Sequence, residues 1–107
     1  MARTVFQRHW LDGSGCPEGG VAFGSGFTIA WQRGPLGRGP ERLEQNGAFL
    51  EDVLDVCLGR LTFLQGSKFR CDENSTAAIA IATALQALSA RTSRREEAKT
   101  EGTLLGN

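Results

Sequence analysis

The stretch from Cys71 to Thr103 constrains this chain more than any other. It opens with Asp72-Glu73-Asn74-Ser75, residue types that cap a helix because their side chains accept bonds from its unpaired first amides. Thr76 to Leu88 follows, alanine-rich and free of Gly and Pro, which favours a helix. Ala78, Ile81, Leu85, Leu88 and Thr92 recur at three- and four-residue spacing and form one apolar stripe. The composition then switches to Arg91-Thr92-Ser93-Arg94-Arg95. Arg91 and Arg95 are four apart and project from the same face of the last turns. Lys99 to Thr103 lacks any periodicity and reads as an irregular tail. The helix thus brings two guanidinium groups, a hydroxyl and a tail to one place, a donor set that suits a phosphate or carboxylate. Basic residues in a last turn also complement the helix dipole with no ligand at all. The arginines alone therefore leave both readings open.

With 107 residues the chain is expected to form one domain, with residues 1–45 β-rich and loop-like, 46–97 two long helices and 98–107 a tail. Twelve basic and twelve acidic residues cancel, so no global field draws the protein to long nucleic acid or to a membrane. No apolar run approaches the roughly 18–20 residues that span a bilayer. Met1 to Arg8 lacks the apolar block of a secretory signal. Cys16, Cys57 and Cys71 are odd in number, widely spaced and without a CxxC pair, which suits free thiols in a reducing cytosol better than disulfides or zinc.

Residues 1–12 carry Val5, Phe6, His9, Trp10 and Leu11, too short a segment to assign to an element. His9 is the single histidine, and no Ser or Cys partner nearby suggests a nucleophile–base pair. Asp12 to Gly20 reads as a turn-rich loop and contains no GxxxxGK[ST] pattern. Phe27 to Gln32 is the best strand, with Phe27, Ile29 and Trp31 on one face. Val21-Ala22-Phe23 is placed to pair with it across Gly24-Ser25-Gly26 as a hairpin. In Arg33 to Pro40, successive glycines allow backbone amides to converge on an anion, though the same composition also makes a plain loop.

Asn46 is expected to cap the next helix, whose apolar stripe is Phe49, Leu50, Val53, Leu54, Cys57, Leu58, Leu61 and Leu64. Glu51, Asp52, Asp55 and Arg60 face outward, and Gly66 ends the helix. The short link from Ser67 to Cys71 favours antiparallel neighbours. The expected fold class is therefore α+β, a small N-terminal antiparallel sheet packed on a C-terminal antiparallel helical hairpin. Phe63 and Phe69 flank the link and suit either a core position or a stacking platform for a base. The stripe of the second helix is wider than one partner helix needs, and its small residues permit close approach, which together hint at self-association.

An ordered series of segments then acquires a joint meaning. Gly26 to Gln32, Gly34 to Gly39, Asn46 to Phe49 and Glu51-Asp52-Val53 come first. Ser67-Lys68-Phe69, Cys71, Glu73-Asn74, Arg91-Thr92, Arg95-Glu96 and Glu101-Gly102-Thr103 complete it. Over roughly residues 20–103 this series resembles the phage Thoeris anti-defence family, first type. That resemblance implies a non-enzymatic sponge without cofactor or metal. Such proteins act in the cytoplasm of the infected bacterium. They sequester the glycocyclic ADP-ribose isomers made by TIR-domain proteins. It also implies a homodimer paired through the helices and assembling to a hexamer. By similarity the ligand is held by Phe63 or Phe69, Asn74, Arg91, Arg95, Gly102 and Thr103. Some members also bind cyclic di- or trinucleotides between dimers, for which Gly37, Arg38 and Gly39 are the matching candidates. The family's Arg-Gly pair before Glu101 is replaced here by Ala98-Lys99. The alternatives are a sponge for the cyclic di- or trinucleotides of cGAS-like immunity and a non-catalytic helical adaptor.

Asn74 and the arginines are some 17 residues apart, about 25 Å along a helix. A single helix cannot present both to one small ligand. Antiparallel pairing of two copies sets the Asn74 end of one beside the Arg95 end of the other.

Overall fold

A computed structural model describes residues 4–34, 36–37 and 43–97. The chain divides into two compact units, one reaching to Phe49 and the other spanning Leu50–Glu97. The first unit is a three-stranded antiparallel sheet, β1 (Phe6–Leu11), β2 (Pro17–Gly24) and β3 (Phe27–Trp31), in the order β1-β2-β3. The second is a pair of helices, α1 (Leu50–Gln65) and α2 (Asp72–Glu97). The α+β class read from the sequence is the one observed.

The β2–β3 hairpin follows the sequence reading, with Gly24 opposite Phe27 and Ala22 opposite Ile29 across Ser25-Gly26. Gly26 has φ +93°, which a residue with a Cβ adopts only at a cost. β1 falls in a segment the sequence left unassigned, whereas the start of β2 is a correction: Glu18-Gly19-Gly20 lies in the ladder and is not loop. Composition misleads there because glycine in a strand marks close approach as often as a turn. Gly20 pairs with His9 on one side and Trp31 on the other at φ +155°, and an added Cβ would meet the Arg8 carbonyl oxygen. The true β1–β2 loop is shorter. Asp12 accepts bonds at Oδ1 from the Ser14 and Cys16 amides, 2.8 and 3.0 Å, and so closes it.

Direct cross-strand partners share a face of a sheet. Phe27, Ile29 and Trp31 therefore lie across Gly24, Ala22 and Gly20, and the small β2 residues leave room for the large β3 ones. Ala22 on this face is buried, as is Leu36. The opposite face carries Phe6 stacked on Phe23, ring centroids 5.2 Å apart, with both rings substantially exposed. His9 is exposed on β1.

Asn46 does not cap α1, contrary to expectation. Its side-chain oxygen accepts from the Arg33 amide at 2.8 Å and its Nδ2 donates to the Arg33 carbonyl at 3.2 Å. Its own amide donates to the Gln32 side chain at 2.9 Å. These bonds bring residues 46–48 back to β3, where the Ala48 amide donates to Ala30 and the Gln32 amide to Ala48. Gly47 is required at that approach, since a Cβ would lie 2.5 Å from the Trp31 carbonyl oxygen.

In the helical unit α1 ends at Gly66 as expected, the Gly66 amide donating to Thr62 and Phe63 carbonyls. Ser67 then bonds the Leu64 carbonyl through Oγ at 2.6 Å and accepts from the Phe69 amide at 3.0 Å. Gln65 clamps the far side of the turn: its Nε2 donates to the Cys71 carbonyl and its Oε1 accepts from the Cys71 amide, both at 3.0 Å. The cap of α2 is Cys71, one residue before the expected cluster. Its Sγ accepts from the Asn74 amide at 3.4 Å and its carbonyl from the Ser75 amide at 3.3 Å. Asp72 to Ser75 instead form the first helical turn, where the acids Asp72 and Glu73 favour the positive end of the dipole.

Ala78, Ile81, Leu85, Leu88 and Thr92 are all half-buried, as the stripe requires. On α1, Val53, Leu54, Leu58, Leu61 and Leu64 are half-buried too. Leu50 and Cys57, expected in that stripe, are exposed. No residue of α1 is fully buried, and Val56, Phe63 and Ile79 are exposed apolar side chains. The three cysteines are free thiols. No helix among the described residues is long and apolar enough to cross a membrane.

Both tryptophans lie in the sheet unit, so their fluorescence follows its unfolding, whereas ellipticity at 222 nm follows the helices. Gly20→Ala is expected to destabilise the fluorescence-detected transition by about 1–3 kcal/mol through strain at positive φ. Gly13→Ala, with open space around it, serves as the neutral control. Gln65→Ala is expected to lower the 222 nm transition by about 1–2 kcal/mol for the two bonds lost.

Candidate functional site

The turn end of the hairpin presents the aromatic candidates. Phe63 and Phe69 are 65% and 68% exposed, so neither is a core residue. Each ring carries a cation over it: Arg60 lies 5.2 Å from the Phe63 centroid and the Lys68 amine 5.4 Å from that of Phe69. An exposed ring flanked by a cation suits a stacked base attached to phosphate. Asn74, half-buried in the first turn of α2, donates from Nδ2 to the Phe69 carbonyl at 3.5 Å. That single long bond leaves most of the side chain's donor and acceptor capacity for a base edge or a ribose. Phe69 and Asn74 are thus held together, and their separation is fixed by the Ser67 and Gln65 bonds that shape the turn.

The other end of α2 presents the cations. Arg91, Thr92 and Arg95 are half-buried on one side of the helix. Arg91 Nη2 lies 3.7 Å from Glu51 Oε1 at the start of α1, so Glu51 does not simply face outward as its place off the apolar stripe suggested. The Arg91 Nε is buried and has no hydrogen-bond partner. The pairing of Glu51 with Arg91 also establishes that the two helices run antiparallel. Within one chain the phenylalanine–asparagine group and the arginines sit at opposite ends of the hairpin.

Gly102 and Thr103 lie outside the described residues, as do Arg38 and Gly39. Gly37 has φ +83° in the sheet unit, a conformation that suits converging amides but no ligand set by itself. Among the described residues, a cleft is lined by Thr4, Val5, Ser25 and Phe27, none of them titratable and none a candidate. Among the described residues no group of three or more His, Cys, Asp or Glu could hold a metal ion.

Three features went unread in the sequence. Arg60 with Phe63 and Lys68 with Phe69 were legible from spacing alone, at i,i+3 and i,i+1. Glu51 follows from hairpin geometry, since a turn at 66–71 sets the first turn of one helix beside the last turns of the other. Cys71 as a cap carried no signal, because thiols are poor representatives of the capping residue types.

No family model matches the chain. A curated protein, "Thoeris anti-defense 1" of Bacillus phage SBSphiJ7, is 36% identical to it over 76 residues, 71% of this chain and 51% of that protein. The chain spans about half the length of this relative. An ordered set of segments and an identity of this size over most of the chain lead to one assignment: the chain belongs to the Thoeris anti-defence family.

Proposed function

We propose that this protein is a phage anti-defence sponge that binds glycocyclic ADP-ribose isomers and withholds them from the Thoeris effector without cleaving them. It acts in the cytoplasm of the infected host, as a homodimer that assembles further to a hexamer. The observation that carries this reading is the division of the candidate residues between the two ends of α2. Phe69 with Asn74 occupies one end and Arg91 with Arg95 the other, some 25 Å apart for 17 intervening steps. Each end is half of a nucleotide site, one for a base and one for a pyrophosphate. Two copies packed antiparallel along α2 bring opposite halves together. Ile79, an uncovered apolar side chain on α2, supports such pairing.

In the assembled site the guanidinium groups of Arg91 and Arg95 neutralise the pyrophosphate through charge-assisted bonds. Phe69 or Phe63 stacks on the adenine and Asn74 reads the base edge or ribose. Gly102 and Thr103 close over the ligand. Phenylalanine, asparagine and arginine side chains serve neither as nucleophiles nor as general bases, so the site is read as holding its ligand in the ground state.

A release assay tests this. Purified protein is incubated with TIR-generated glycocyclic ADP-ribose, freed of unbound nucleotide and heated, and the released species is identified. Intact nucleotide is the expected product. Arg91→Ala is expected to weaken binding by about 1.5–3 kcal/mol, roughly 10- to 150-fold. Degraded nucleotide would make the protein an enzyme, and no release would direct attention to cyclic oligonucleotides or a protein partner. Sedimentation of the same protein as a monomer, with binding intact, would overturn the two-copy site.

A further inference from the structure

The arginine proposed to take the phosphate already faces an acid of its own chain. Glu51 Oε1 stands 3.7 Å from Arg91 Nη2, within ion-pair distance and just beyond hydrogen-bonding reach. Both side chains are partly open to solvent, 41% for Arg91 and 35% for Glu51. The Nε of the same guanidinium makes no hydrogen bond. A carboxylate seated as a fork would take two N–H groups at shorter distance, so this contact is a loose one, and loose solvated pairs separate at little cost.

From this geometry we infer that Glu51 is an internal competitor, an anion that occupies Arg91 in the unliganded chain and must yield it to the phosphate. The inference rests on the proposed role of Arg91. A phosphate oxygen bonded to Nη2 would lie beside the Glu51 carboxylate, and like charges so placed repel. Glu51 has somewhere else to go. It sits in the first turn of α1, where the helix's unbonded amides and positive dipole end accept a carboxylate. Ligand binding is therefore an exchange of one anion for another at the guanidinium. Its affinity is set by how much better the incoming group bonds. A pyrophosphate, with more charge and more acceptor oxygens than one carboxylate, wins that exchange. A singly charged ligand gains little from it, so Glu51 acts as a specificity-determining residue for highly charged phosphates.

The control is Asp52, which carries the same charge in the same turn, is exposed, and points away by one residue's rotation. Calorimetric titration with purified TIR-generated glycocyclic ADP-ribose is made on the parent, Glu51→Gln, Asp52→Asn, Arg91→Ala and the Glu51→Gln/Arg91→Ala double variant. Glu51→Gln is expected to bind about fivefold tighter, the scale of one exposed ion pair, and Asp52→Asn less than about twofold tighter. In the Arg91→Ala background Glu51→Gln is expected to change nothing. Weaker binding by Glu51→Gln would make the carboxylate a positioning residue and overturn the inference. Equal gains from Glu51→Gln and Asp52→Asn would overturn it as long-range charge alone. If Arg91→Ala loses binding while Glu51→Gln matches the parent, the phosphate site stands and the competitor falls. If the parent does not bind, or Arg91→Ala binds as the parent does, both fall together.

Discussion

Two helices in a hairpin can each cover only one stripe of the other, and much of this protein follows from that limit. The stripe of α2 is satisfied: Ala78, Ile81, Leu85, Leu88 and Thr92 are each half-buried. Yet α1 has no fully buried residue, and Val56, Phe63 and Ile79 remain in solvent. Burying an apolar side chain of that size contributes about 1.5–3 kcal/mol, and the isolated hairpin forgoes part of it at several positions. What holds its ends is therefore disproportionately polar and local: the Ser67 bonds, the double clamp of Gln65 on Cys71, and the cap from Cys71 to Asn74. The turn that results is well determined, and it is the turn that sets Phe69 beside Asn74.

The sheet unit solves a similar problem by a different route. Its buried apolar residues are Ala22 and Leu36, so little area is gained by burial among the described residues. Small residues on β2 allow the large β3 side chains to lie flat across them, and Gly20 and Gly47 permit backbones to approach where any Cβ would intrude. Asn46 then acts as a strand's worth of hydrogen bonds in one side chain, satisfying the Arg33 amide and carbonyl together. Close backbone approach substitutes here for a large apolar core.

Legibility in the sequence divides along the same line. The helices were plain because their period of 3.6 repeats over many residues, and a pattern that long admits one interpretation. The Phe27–Trp31 strand was plain because its aromatic and β-branched residues alternate. Phe6–Leu11 was not, since its partner is the glycine-bearing run Pro17–Gly24, whose composition describes a loop while its backbone makes a ladder. Asn46 misled for a related reason: a capping residue type placed just before a helix was needed more by the strand behind it. Of the candidate groups, their division between the two ends of the hairpin was legible, since it follows from the helix assignment. Apolar periodicity alone places Glu51 on the outer face; it is the antiparallel hairpin, setting the first turn of α1 beside the last turns of α2, that brings it to Arg91.

The placement of the candidate groups also bears on what kind of work such a site can do. Catalysis demands groups that bond more strongly to a transition state than to the substrate, held within a fraction of an ångström. Here the aromatic rings are exposed and carry cations over them, and Arg91 holds its acid at a distance that already concedes separation. Surfaces of this kind suit a ligand that brings its own rigidity. A cyclised nucleotide does so, because its ring closure has already removed the freedom that a linear one would lose on binding. A protein with little core to spare need not then hold every group in advance. In the proposed two-copy site, such a ligand would bridge a base platform and a phosphate clamp and so complete the order that one hairpin leaves unfinished.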